Sequence, residues 1–310
     1  MKRMILLTLL TGVLFSCSFE DEPGPCPYNV RLEYHYAGAP DVANLSVYTD
    51  LLCQYIFRED GTLLNTDTLT GQEMSEWKGT LDAGRYTVAT WGNPGTERQF
   101  VSMQPGEARL EEAGLSAATE RAPKEGRGNT SRLYFGYHIL DVPSGKSLHR
   151  KLYMTHAHAS LHVTVRWDKG LTPPAPGRFS LRLRGIPAEY RYKAGMEIPL
   201  SNADGAYTMP QTGFLHINHS VRASMNYENE VVGQFVTFRY TAATHPMLSL
   251  YREGRQIMKE LDLERFFRKL PVSLDENTEQ EFNLLVLIQK DKITVSEMGA
   301  TDWEEGGGLG

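Results

Sequence analysis

The residues best suited to chemistry lie in one short run, Thr155-His156-Ala157-His158-Ala159-Ser160-Leu161-His162. On an extended strand His156, His158 and His162 project from one face, opposite Ala157, Ala159 and Leu161. Two imidazoles two residues apart on a strand can share a zinc ion, with a third ligand completing an open site. His162 lies two pleats beyond His158, about 13 Å along an ideal strand, too far to join the same ion. No companion His-x-x-x-His or cysteine pair occurs elsewhere. The run therefore reads as a solvated strand face, with metal binding as the alternative, and neither a metal nor a cofactor is expected. A Gly-x-Ser-x-Gly elbow and a phosphate-binding glycine loop are both missing from the sequence. The acidic pairs Glu111-Glu112 and Glu304-Glu305 fall in loop and tail settings. The chain does not read as an enzyme.

The clearest chemical signal is at the N-terminus. Lys2 and Arg3 precede an almost wholly apolar run from Met4 to Phe15. That run is too short for a spanning helix, which needs roughly 20 apolar residues, and reads as a signal peptide over 1–16. It ends in Leu14-Phe15-Ser16-Cys17, which resembles the lipobox of bacterial lipoproteins, although Phe15 is bulkier than usual two before the cysteine. The resemblance implies lipid on Cys17. Each buried methylene contributes roughly 0.8 kcal/mol, so two or three acyl chains of palmitate type hold firmly. Residues 17–25 form an acidic tether, in which Glu20, Asp21 and Glu22 resemble a surface-export signal of some Gram-negative anaerobes. A merely soluble tether is the alternative.

The 310 residues suffice for two domains of ordinary size. A net charge of −6, spread along the chain, gives no clustered basic surface for nucleic acid. Apart from Cys17 there are Cys26 and Cys53, which an oxidising compartment would allow to pair; bonded and free both remain open.

Period-two alternation positions everything else. Val30, Leu32, Tyr34 and Tyr36 alternate with polar residues, as do Leu51, Cys53, Tyr55 and Phe57 before the Asp60-Gly61 turn. Further strands are predicted at Arg85–Trp91, Leu133–Tyr137, Leu161–Trp167, Phe179–Leu183, Gln234–Tyr240, Met247–Tyr251, Phe282–Gln289 and Lys292–Ser296. Gly106–Thr130 reads as a long loop. Leu263, Phe266, Phe267 and Leu270 have helical spacing, with Pro271 as a stop. The fold class is all-β: two antiparallel β-sandwich domains in tandem, 26–145 and 146–303, one short helix in the second, and a flexible tail at 304–310. The break is placed at Val142-Pro143-Ser144-Gly145.

Several segments, taken in order, are similar to the fimbrillin-A-associated anchor proteins. They are Cys17 with its acidic spacer, Cys26-Pro27 leading into Val30–Tyr34, and Tyr55–Gly61 with its turn. The strand Ala83–Gly92 and the segment Leu133-Tyr134-Phe135-Gly136 follow, then Phe238-Arg239-Tyr240, Leu248–Gly254, and Ile293-Thr294-Val295 with Trp303. Tyr240 stands where the family has leucine, and the end Gly306–Gly310 has no counterpart. The resemblance implies transthyretin-like sandwiches in an outer-membrane lipoprotein, lipid-anchored and facing outward. It would hold the base of a type V pilus, with fimbrial pilin subunits as partners.

Alternatives from other classes are a surface glycan-binding lipoprotein, using Trp77, Trp91, Trp167 or Trp303 as sugar platforms, and a tip or shaft pilin of the same system. Such a pilin would be trimmed at an arginine such as Arg31, Arg58 or Arg85. Asn44, Asn129 and Asn218 match the N-glycosylation pattern, which a bacterial lipoprotein makes improbable, and Asp67-Thr68-Leu69 resembles an O-glycosylation sequon on Thr68. The favoured pilin-facing surface is Lys292–Glu305, where an edge strand could accept or lend backbone hydrogen bonds. The alternative there is that Ile293 and Val295 close the domain's own sheet.

Overall fold

The computed structural model describes residues 27–41, 45–95, 98–99, 103–117, 127–191, 211–212, 216–226, 229–271, 274–275 and 277–298. In chain order the strands of the first half are β1 (Val30–Tyr36), β2 (Leu51–Arg58), β3 (Leu63–Thr70), β4 (Glu76–Gly79), β5 (Gly84–Gly92), β6 (Arg98–Gln99), β7 (Leu115–Ser116), β8 (Tyr134–Val142) and β9 (Leu148–His156). The second half carries β10 (His158–Trp167), β11 (Phe179–Pro187), β12 (Glu189–Arg191), β13 (Gln211–Thr212), β14 (His216–Met225), β15 (Glu230–Phe238) and β16 (Met247–Arg252). It closes with β17 (Arg255–Gln256), β18 (Leu261–Asp262), one helical turn α1 (Glu264–Phe267), β19 (Glu281–Ile288) and β20 (Ile293–Glu297).

The first half is a curled seven-stranded sheet in the order β3-β2-β5-β8-β9-β1-β4. The second is a nine-stranded sheet, β17-β16-β11-β14-β15-β10-β19-β20, with β18 paired to β16. The chain is all-β, in tandem sandwiches, as its alternation demands. One feature was invisible to alternation: each half contains one long parallel pair, β1 with β9 and β10 with β19. In both halves the first strand lies between an antiparallel neighbour and this parallel one.

Curling lets each sheet bury its own concave face. Val30, Leu32, Tyr34 and Tyr36 of β1 are all at most 3% exposed and meet Leu52, Ile56, Val88, Leu140 and Met154 in the first core. Leu161, Val163 and Val165 of β10 do the same with Leu181, Phe235, Leu250 and Val286 in the second. The predicted helix shortens to a single turn; Leu263 and Phe267 reach the core, and Leu270 packs beside it without extending α1.

Two further boundaries differ from expectation. Residues 143–147 are the turn between β8 and β9, inside the first sheet, so the passage between sheets falls at Ala157 rather than near Gly145. The stretch read as a long loop is partly built: Ala108, Leu110, Ala113 and Leu115 pack on Tyr55, Phe57, Trp91 and Phe135. This roof covers the outer face of β2, β5 and β8, so those strands are buried on both sides. A small sheet, β13-β12-β7-β6, then joins the roof to the second half through Tyr190↔Leu115.

Candidate functional site

The chain passes directly from the first sheet to the second through one residue. β9 ends at His156 and β10 begins at His158, so Ala157 alone connects them. Its N–H donates to the Leu133 carbonyl at 2.9 Å, and its carbonyl accepts from the Tyr190 hydroxyl. That hydroxyl also accepts from the Arg239 backbone N–H at 2.9 Å. The Tyr190 ring stacks on Phe238 at 4.5 Å and contacts Trp91 of the first sheet at 5.5 Å. The Arg239 guanidinium, 3% exposed, donates to the carbonyls of His156 (3.0 Å), Leu274 (3.1 Å) and Asn277. A buried cation spread over three carbonyls is costly to disturb, because removing it strands several acceptors at once.

The imidazoles sit in the middle of this junction. His156 is 5% exposed and His158 fully buried, with ring centroids 4.3 Å apart. The solvated-face reading is therefore wrong: the Leu133 segment and the Tyr134 ring cover the histidines, and alternation cannot detect a covering layer. His158 Nδ1 donates to the Leu133 carbonyl at 2.8 Å. His156 Nε2 lies 2.9 Å from the Tyr36 hydroxyl, which spends its own proton on Glu279. Burial pushes His156 down to about 3, helped by nearby His158, Arg239 and Arg132. Burial likewise pushes His158 down to about 4, against the opposing pull of its bond to Leu133. Both rings are neutral at neutral pH. His162 is half-buried further along β10, opposite Gln234 and Asn283, and does not join them. Glu281, 123 residues from His158 in sequence, does come close; parallel pairing of β10 with β19 sets it beside Ser160. No local sequence signal could have found it.

The remaining candidates scatter. Cys17, Glu20, Asp21, Glu22, Cys26, Asn44 and Trp303 lie outside the described residues. Cys53 makes no disulfide among the described residues, and burial raises its thiol pKa. Thr68 faces solvent on β3, directly across from Cys53. Asn129 bonds β15 like an extra strand, accepting from Val236 N–H at 2.9 Å and donating to the Gln234 carbonyl at 3.3 Å. Asn218 is exposed. Trp91 is fully buried with its Nε1 donating to Ala113, while Trp77 and Trp167 are half-buried. No described helix is long and apolar enough to cross a membrane.

β20 ends the nine-stranded sheet. It pairs with β19 from Leu284↔Glu297 to Ile288↔Ile293, and its other edge has no strand partner among the described residues. Ile293 and Val295 pack against the second core, so the strand both closes its own sheet and presents a free edge. Beside the β19–β20 turn lies a charged groove of about 670 Å³, lined in part by Lys259, Asp262, Arg265, Lys290, Asp291 and Lys292.

Comparison with known proteins places this arrangement. The family described as fimbrillin-A associated anchor proteins Mfa1 and Mfa2 matches residues 22–305. Among solved structures, the fimbrial anchor protein Mfa2 from Porphyromonas gingivalis superposes with a TM-score of 0.62 at 16% identity, covering 87% of this chain and 95% of that one. A candidate polysaccharide-binding protein from Bacteroides thetaiotaomicron gives a TM-score of 0.67 at 11% identity, covering 88% and 99%. A candidate adhesin from the same organism gives 0.63 at 18% identity, covering 91% and 98%. At these identities the likeness shows a shared fold. No curated protein matches in sequence.

Proposed function

This chain belongs to the fimbrillin-A associated anchor proteins, and we propose that it fixes the base of a fimbria to the outer membrane through lipid on Cys17. The observation that carries the reading is the family match over residues 22–305, which takes in both sheets and the junction between them. A role in fimbrial anchoring and adhesion follows from membership. Lipidation, the outer membrane and the outward-facing position promoted by Glu20, Asp21 and Glu22 rest on the N-terminal sequence. The edge of β20 that has no strand partner among the described residues supports a pilin contact made by strand pairing, with the fibre subunit adding to the second sheet. A sugar platform has less support, since Trp91 is wholly enclosed and Trp77 and Trp167 are half-covered.

The test is a Cys17→Ala chain expressed in the native host. Lipid labelling disappears and fimbriae shed from cells into the medium. Normal labelling of that variant removes the lipid anchor, and normal fimbrial retention by an unlabelled variant removes the anchoring role.

A further inference from the structure

Two buried nitrogens at the junction have no hydrogen-bond partner among the described residues: Nδ1 of His156 and Nε2 of His158. Leaving such groups unpaired in the interior is expensive, and a native structure that keeps two of them side by side calls for a ligand. The ring contacts say which nitrogens carry lone pairs. The Tyr36 hydroxyl gives its proton to Glu279, so it must accept from His156 Nε2–H, leaving Nδ1 basic. His158 donates from Nδ1 to Leu133, leaving Nε2 basic. Each imidazole thus has one N–H anchored by an oxygen and one lone pair free. Protein-bound metals use histidines in that arrangement, where the outer hydrogen bond fixes tautomer and orientation.

A carboxylate completes the set. One ring nitrogen of each histidine and an oxygen of Glu281 lie within 4.8 Å of one another. We propose that His156, His158 and Glu281 form a binding site for a zinc-class divalent cation that clamps the junction of the two sheets. Bonds of about 2.0–2.1 Å in a tetrahedral site separate the donors by about 3.4 Å, so small side-chain rotations suffice to close the set. Calcium and magnesium call for oxygen cages, whereas two imidazoles and one carboxylate suit zinc. Glu281 is exposed, which supplies an entry path and leaves a fourth position to water. Arg132 and Arg239 add positive potential at both imidazoles, while Glu279 and Glu281 act in the opposite sense on the neighbouring Tyr134. Discrimination therefore comes from the donor set rather than from the field. The ligands come from the end of β9 and the starts of β10 and β19, so a bound ion spans the one-residue link at Ala157.

The experiment titrates the purified, chelator-stripped chain with zinc chloride and, separately, magnesium chloride, reading heat and thermal unfolding. Zinc saturates at one ion per chain and raises the unfolding temperature; magnesium does neither. Glu281→Gln, an exposed change that leaves the core intact, weakens zinc at least about tenfold, and so does His158→Gln. Tyr36→Phe, which frees the His156 tautomer without removing a ligand, weakens it by about 10- to 100-fold. Wild-type zinc affinity in Glu281→Gln, or failure to saturate at one ion, overturns the site. Should His158→Gln misfold, the Glu281 variant decides alone.

Discussion

Tyr190→Phe isolates what holds the two sheets together. The substitution keeps the ring between Phe238 and Trp91 and deletes only the hydroxyl. That hydroxyl serves two backbone groups, donating to the Ala157 carbonyl and accepting from the Arg239 N–H. Tyr190 is fully buried, so water cannot replace it at either group. An unsatisfied buried polar group costs about 1–3 kcal/mol, and deleting the hydroxyl itself recovers part of one such cost. The expected destabilisation is about 2–4 kcal/mol, a large share of a typical total stability of roughly 5–15 kcal/mol. Urea unfolding followed by circular dichroism and by tryptophan fluorescence measures it. In variants that keep a single tryptophan, Trp91 reports the first sheet and Trp167 the second. Both signals shift to lower urea together if the junction couples the halves. A loss below about 0.5 kcal/mol, the range of ordinary surface changes, refutes the role given to this hydroxyl. A shift confined to one signal refutes the coupling.

Three further outcomes are expected. Gly185 has φ +78°, and an added Cβ would lie 2.4 Å from the His245 carbonyl oxygen, so Gly185→Ala should cost more than about 2 kcal/mol in urea unfolding. Gly145, at φ +67° with open space around it, is the control, and its alanine variant loses only about 1 kcal/mol. His219 is fully buried; burial, and then Arg127, push it down to about 4 against the opposing bond to Gly128. Its folded state stays neutral where the unfolded chain takes up a proton, so stability present above pH 6.5 falls as pH drops towards 4. The loss is on the order of 3 kcal/mol, and the stability of His219→Gln falls less over the same window. Deleting Asp302–Gly310 leaves a folded, lipidated, surface-exposed protein that no longer retains fimbriae; normal retention moves the pilin contact to the first half or to the Gly106–Thr130 segment.

What was legible in the sequence depended on having one polar and one apolar face. β1, β2, β10, β11 and β19 alternate strongly and lie where alternation puts them. β9 reads Leu-His-Arg-Lys-Leu-Tyr-Met-Thr-His, polar at its start and buried at its end, and carries no such signal. β3 and β14 are mostly polar and were missed for the same reason. Missing β9 misplaced the boundary between sheets, since the turn at Pro143–Lys146 looks like a linker only when the next strand goes unseen. The histidine run was located correctly but its environment was not. Burial of His158 depends on Leu133 and Tyr134 crossing over it, and its carboxylate neighbour arrives by a parallel pairing that no local pattern encodes.

The parallel pairs acquire meaning once the chain is considered as a link under tension. Suppose the membrane pulls on the segment before Val30 and a fibre pulls on β20. In β1 and β9 the load then enters at the start of one strand and leaves at the end of the other, across seven paired positions from Val30↔Leu148 to Tyr36↔Met154. Strands paired in parallel and pulled from opposite ends slide in shear, so their hydrogen bonds share the force instead of opening one at a time. The same geometry repeats in β10 and β19, across eight positions from Ser160↔Glu281 to Trp167↔Ile288, before the load reaches β20. Between these two shear-loaded pairs the covalent path narrows to the backbone of Ala157, with only the small β13-β12-β7-β6 sheet and the bonds of Asn129 and Thr130 to β15 beside it. The groups gathered there, Tyr190, Arg239 and the two imidazoles, brace the one place where neither ladder can carry the force.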